Sequence, residues 1–366
     1  MSTIAVNAIT DASGGNTASI NGATPTNDNT MGKNRLINGD MRIDQRNAGA
    51  SVTQSTSQQF VTDRWSIYGT AASKFTGQQN AGSVTPPTGF TNYLGITSSS
   101  AYSVASGDVF GIFQRIEGLN TADLGWGAAG AVTVTLSFWV RSSLTGTFGG
   151  ALQNNAQNRN YPFTYTISAA NTWEQKTVTI AGDTTGTWAT DTSIGIGLYF
   201  GLGAGSTFSG TAGAWAAGNI WTATGATSVV GTNGATWYIT GVQLEAGSVA
   251  TSFERRQYGQ ELALCQRYYY SVNGNGNMWA TGSGANTVAS MSFLHPQTMR
   301  ASPTITYIST SYSSGVVSLR ASTGGTITDA ALTAQTSTEN AVMFRTLLSS
   351  SAHGYVMRSY TASAEL

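Results

Sequence analysis

From Val132 the chain runs Val132-Thr133-Val134-Thr135-Leu136-Ser137, apolar and polar by turns, until the bulky pair Phe138-Trp139 and then Val140-Arg141. A period of two sends successive side chains to opposite faces, so this run predicts a half-buried strand. Lys176–Ile180, Ile194–Phe200 and Ala235–Leu244 carry the same signature. Leu36, Ile37, Met41 and Ile43 stand around an Asn38-Gly39 turn signal and predict another extended element. Short alternating runs separated by Gly, Asn and Asp over residues 34–254 predict a β-sandwich or jelly roll.

One segment has a helical period. Tyr258, Leu262, Cys265 and Tyr269 recur at spacings of four, three and four, with polar Gln260, Glu261, Gln266 and Arg267 between them. Such a narrow seam fits a linker helix capping the sandwich, or a helix facing its symmetry mates in an oligomer. After the turn cluster Asn273–Asn277, strand-like runs return at 302–308, 315–319 and 341–344. Residues 1–33 have only isolated apolar positions, Ile4, Val6, Ile9 and Ile20, too few for a core. They read as an extended arm ordered against a partner. The expected architecture is all-β: an arm at 1–33, a jelly-roll sandwich at 34–254, a linker helix at 255–272 and a smaller C-terminal β domain at 273–366.

Composition sharpens this picture. Only 9% of the 366 residues are charged, against roughly 25% in ordinary soluble domains. The 44 Gly suit turns, and the 9 Trp, 15 Tyr and 13 Phe are incompatible with a disordered chain. Lys+Arg and Asp+Glu balance at 17 each, so there is no basic excess for nucleic acid. Lys33, Lys74 and Lys176 are the only lysines, and arginine favours planar, paired, partly buried contacts. So sparse a surface charge suits a surface covered by identical neighbours. Cys265 is the sole cysteine, which rules out an intrachain disulfide. No segment has the length of a signal-peptide core or a membrane span, so cytoplasmic synthesis without membrane insertion is expected.

Leu36–Met41, Asp63-Arg64-Trp65, Leu136–Arg141 and Trp237–Leu244 resemble successive elements of the jelly rolls in family-4/9-type carbohydrate-binding modules. Gly241–Arg256, followed by Glu261–Tyr269, resembles a junction found in phage and prophage tail-fibre or appendage proteins, and Met299–Thr304 resembles the start of their C-terminal domain. The resemblance covers about 34–310. It implies a virion component on a tail or other appendage, and a trimer; the arm, with Ile4, Val6, Ile9 and Ile20, is then expected to dock on other virion proteins. It also implies possible contact with host surface glycans.

Sugar recognition needs flat aromatic faces beside polar donors. Trp65, Tyr68, Trp139, Tyr161, Trp173 and Tyr199 are candidates in the sandwich, and Trp279, Tyr307 and Tyr312 in the distal domain. The oligomer seam would be Tyr258, Leu262, Cys265 and Tyr269. Asp40 and Asp44 lie on one side of an extended chain, yet two carboxylates are few ligands for calcium, and neither metal nor cofactor is expected. His295 and His353 are far apart, and the sparse acids mostly stand beside arginines or turns. No acid–base pair for glycoside hydrolysis stands out, so the chain is expected not to be an enzyme.

Overall fold

The computed structural model describes residues 32–272, 276–281, 287–307, 316–319, 328–348, 353–357 and 360–366. Residues 52–246 form a sandwich of two antiparallel sheets. One sheet has six strands, ordered Val52–Thr53, Phe75–Gln79, Leu94–Ser98, Thr236–Ala246, Val134–Ser142 and Glu174–Ile180. The other has seven, ordered Ala216–Ala217, Arg159–Ile167, Gly146–Gln153, Ile194–Ala204, Val109–Glu117, Trp65–Gly69 and Gln59–Thr62. The alternation places Val134, Leu136, Phe138 and Val140 of one sheet in the same core as Ile196, Leu198, Phe200 and Leu202 of the other. Trp237 Nε1 donates to Tyr165 OH at 3.0 Å, so two buried polar atoms satisfy each other there. The all-β sandwich expected from the pattern is the fold observed.

The glycines of Ile194–Ala204 have a packing cause. They lie on the outer face of the seven-stranded sheet, where the chain crosses back over it. A Cβ at Gly201 would sit 2.6 Å from Thr222 Cβ, and one at Gly111 would sit 2.8 Å from Phe200 O and 3.2 Å from the Trp221 ring. Glycine lets Trp221 and Thr222 lie flat on this face. Much of it is therefore covered by the chain itself.

Residues 34–43 depart from expectation, for they form turns rather than a strand. Asn38 and Met41 have φ of 57° and 59°, which breaks an extended run. The Asn38 side chain holds the turn, accepting from Ile43 N and donating to the carbonyls of Ile43 and Asp63.

The helix spans Tyr258–Gln266. Tyr269–Val272, placed in the linker by sequence, is instead a strand pairing with Tyr360–Ser363, which also pairs with Thr304–Tyr307. The supposed oligomer seam is largely internal. Cys265 is fully buried against Ile37, Ile43 and Tyr268, Leu262 packs on the same cluster, and Tyr269 is buried, leaving only Tyr258 exposed. Burial of Cys265 and Tyr269 by the chain's own residues leaves them nothing to offer a symmetry mate. A further C-terminal sheet is ordered Gly276–Thr281, His353–Met357, Val316–Leu319, Thr328–Ser337, Ala341–Leu348 and Thr287–Leu294.

The last residues return to the sandwich. Glu365 pairs with Arg64 and, at 2.6 Å, with Arg46. Arg115 donates to Leu366 O, and Arg300 to Ala364 O and Thr192 O. The Ile4, Val6, Ile9 and Ile20 positions lie outside the described residues.

Candidate functional site

The residues resembling a phage junction act first as a clasp. Gln243 donates to Glu245 and accepts from Glu254 N, while Glu245 also accepts from Thr251 N and Oγ1. Glu254 accepts from Gly32 N and Asn34 N, and Arg256 reaches the carbonyls of Leu36 and Asn34. These side chains tie the segment entering the sandwich to the segment leaving it.

Most of the sequence-nominated aromatics are used in packing. Trp65 is fully buried, with Nε1 donating to Asn38 O at 2.9 Å. Tyr199 is buried, stacked on Phe113 at 5.3 Å and covered by Trp221 at 4.5 Å. Tyr68 leans on Trp221 in the same cluster. Tyr161 packs against Trp215, which with Trp126 and Trp188 forms a set of mutually edge-on rings 4.8–5.4 Å apart. All three indole N–H groups of that set are spent within the chain, on Ala181 O, Val132 O and Asp183 respectively. Trp173 rests on Tyr93 and donates to Thr85 O. The Trp279 and Tyr307 side chains and all of Tyr312 lie outside the described residues.

Trp139 differs from every other tryptophan whose side chain is described. It is half-buried, its ring meets no other aromatic ring, and its N–H has no acceptor among the described residues. It lies on the outer face of the six-stranded sheet, because its neighbours Phe138 and Val140 point into the core. Its register partners are Gln175 on one side and Thr240 on the other. Ser137, two residues back on the same face, pairs with Thr177. Gln175 and Thr177 are exposed and their side chains bond nothing described. Cross-strand neighbours stand about 5 Å apart, so one indole and two free hydrogen-bonding side chains share a surface the size of a sugar ring. Arg141 follows on the same face opposite Tyr238. Trp139 was nominated by sequence. Gln175, Thr177 and Arg141 were not; strand register brings the first two to Trp139, and Arg141 stands two residues along its own strand.

The acidic groups are engaged elsewhere. Asp44 accepts from Asn47 N and Gly49 N, while Asp40 pairs with Arg42 at 3.3 Å and burial pushes its carboxyl up. Among the described residues no three His, Cys, Asp or Glu side chains cluster as metal ligands. His295 is buried, with Nδ1 taking the Tyr270 hydroxyl at 2.6 Å and Nε2 facing Thr338 O; burial holds its pKa below the usual value.

No family model matches the sequence, and no curated protein matches it. Among solved structures, the enzymatically active domain of tailspike protein 4 from bacteriophage CBA120 is 13% identical, with a TM-score of 0.31; the likeness covers 58% of this chain and 21% of that one. A sugar-binding protein of Bacteroides thetaiotaomicron is 13% identical over 59% of this chain and 100% of that one, with a TM-score of 0.35. A family-4 carbohydrate-binding module is 15% identical over 57% of this chain and 98% of that one, with a TM-score of 0.28. Likeness at this level carries neither ligand nor activity to this chain. Among the described residues no helix is long and apolar enough to cross a membrane.

Proposed function

We propose that this chain is a structural, non-catalytic component of a bacteriophage virion, a tail-fibre or other appendage protein that contributes to attachment to host-surface glycan. The observation that carries the glycan reading is Trp139. A half-buried indole with no aromatic partner and no acceptor for its N–H among the described residues, beside exposed Gln175 and with exposed Thr177 two residues further along that strand, offers the stacking surface and the donors and acceptors that a pyranose ring requires. The virion setting is supported by the resemblance of Gly241–Arg256 and Glu261–Tyr269 to the appendage junction. Several copies on one particle turn weak sugar contacts into useful avidity. A trimer would be held elsewhere than at Cys265 and Tyr269, which the chain itself covers.

The test is binding of the labelled protein to bacterial cells before and after periodate oxidation of their surface glycans. Periodate-sensitive binding is the expected result. Virion incorporation without binding to any susceptible host would favour a purely architectural head, collar or tail role.

A further inference from the structure

The same sheet face holds arginines without acids. Among the described residues most other guanidinium groups are matched to acids, as Arg46 and Arg64 are on Glu365, Arg159 on Asp183, Arg256 on Glu254 and Glu261, and Arg267 on Glu117, while Arg115 and Arg300 are spent on amide and carbonyl oxygens. Arg141 and Arg255 form no ion pair, although the charge of Arg255 acts on the Asp40 carboxyl. Arg141 donates only through Nε, to Asn171 O at 2.9 Å, and lies 5.5 Å from the centroid of the Tyr238 ring. Its terminal amino groups bond nothing described. Arg255 is exposed and makes neither hydrogen bond nor ion pair, its guanidinium resting 4.6 Å from the Phe90 ring and 5.7 Å from that of Phe253.

Register places Arg141 beside Trp139, and packing carries the Arg255 loop to the adjoining strand. Arg141 is two residues along the same strand. Thr240 is the register partner of Trp139, and a Cβ at the next residue, Gly241, would lie 2.6 Å from the Phe90 ring that supports Arg255. The loop carrying Arg255 is held there by the bond from Glu254 N to Gln243 Oε1, Gln243 being paired with Ser137 two residues from Trp139. The acids of the adjoining segments have closer partners: Asp40 pairs with Arg42, though it also feels Arg255, Glu245 holds Gln243 and Thr251, and Glu174 pairs with Lys176.

We infer that the sugar taken by this face is anionic, its acidic group held by Arg255 and Arg141 while Trp139 stacks on the ring. The inference rests on the glycan reading of the same face. In a chain with only 9% charged residues and no net charge, an exposed and a half-buried guanidinium group outside any ion pair, on segments adjoining an indole without an aromatic partner, are complementary to an acidic polysaccharide. A guanidinium binds carboxylate, phosphate and sulfate by the same forked geometry, so the acid itself is for experiment to name.

The experiment measures equilibrium binding of the full chain to polygalacturonate, dextran sulfate, a poly(glycerol phosphate) and neutral dextran. Wild type is compared with Arg255→Gln, Arg141→Gln and Trp139→Ala, each checked for native near-ultraviolet dichroism. The expected result is that at least one acidic polymer binds tenfold or more tighter than dextran. Either arginine change then weakens that binding about tenfold, raised salt weakens it further, and Trp139→Ala abolishes it. Acidic binding that survives Trp139→Ala would be mere ion exchange and would overturn the inference, as would failure to bind any acidic polymer. Equal binding of dextran and the acidic polymers, insensitive to both arginine changes but lost in Trp139→Ala, would overturn the acidic ligand and leave the sugar site standing.

Discussion

Arg267 Nη2 lies 2.6 Å from Glu117 Oε1, although the two residues are 150 positions apart in the chain. Glu117 ends a strand of the seven-stranded sheet and its side chain is 1% exposed. Arg267 follows the helix, and the Tyr268 hydroxyl donates to the second oxygen of Glu117 at 2.7 Å. The ion pair is thus a strut between the sandwich and the segment leading into the C-terminal sheets. Removing one partner of a buried pair leaves the other charge without compensation, and Arg267→Ala is expected to cost about 3 kcal/mol. Urea denaturation of wild type and variant measures it; a cost near zero would mean that water replaces the guanidinium freely.

Two tryptophan truncations should separate packing from recognition. Trp65→Ala removes a fully buried ring and the donor to Asn38 O, and should destabilise the fold by about 3–5 kcal/mol. Trp139→Ala removes a half-buried ring with no aromatic partner and should cost less, about 2 kcal/mol. Parallel thermal melts decide the order, and equal losses would place Trp139 among the structural rings.

The covered sheet face should not tolerate a methyl group at its floor. Gly111→Ala puts a Cβ against Phe200 O and the Trp221 ring, and a cost of about 1–3 kcal/mol is expected from the forced shift. Loss of fluorescence anisotropy at Trp221 in the folded variant would locate the displacement. A wild-type melting temperature would show that residues 221–222 lift off without cost.

Stability should also vary with pH around one buried acid. Burial pushes the Asp63 carboxyl up to about 7, although Gln45 donates to both of its oxygens. A folded-state value above the ordinary 3.8 means that the folded protein keeps a proton which the unfolded chain releases. This contribution is therefore complete at pH below 3.8 and is lost as pH rises through about 7. The slope is on the order of 1.4 kcal/mol per pH unit inside that window. Asp63→Asn should flatten this part of the stability profile. An unchanged slope between pH 5 and 7 would assign the titration elsewhere.

Alternation at 132–141, 176–180 and 235–244 was legible because these strands have one face in the core, which enforces the period. The strand Gly146–Gln153 gave no such signal, since Gly149, Gly150 and Ala151 are small for the sake of the chain crossing above and the ring of Phe163 beside them. The turn at 34–43 was hidden by its apolar residues, which are buried from turn conformations held by the Asn38 side chain. The helix period holds for Tyr258, Leu262 and Cys265 but not for Tyr269, which belongs to the following strand, and whether the stripe meets a neighbour or its own sandwich is decided by Ile37 and Ile43, far away in sequence. Aromatic identity nominated Trp139 along with five other sandwich residues. What distinguishes it, an unpaired ring and N–H beside Gln175, depends on register and on where every other ring found a partner.

The most direct test of the account is the binding of the Trp139→Ala protein to host cells, measured beside wild type at equal folded concentration. The account predicts periodate-sensitive binding by wild type and at least a tenfold loss in the variant, which remains folded at the temperature of the assay. Undiminished, periodate-sensitive binding by the variant would contradict it and move the sugar contact off this face of the sandwich.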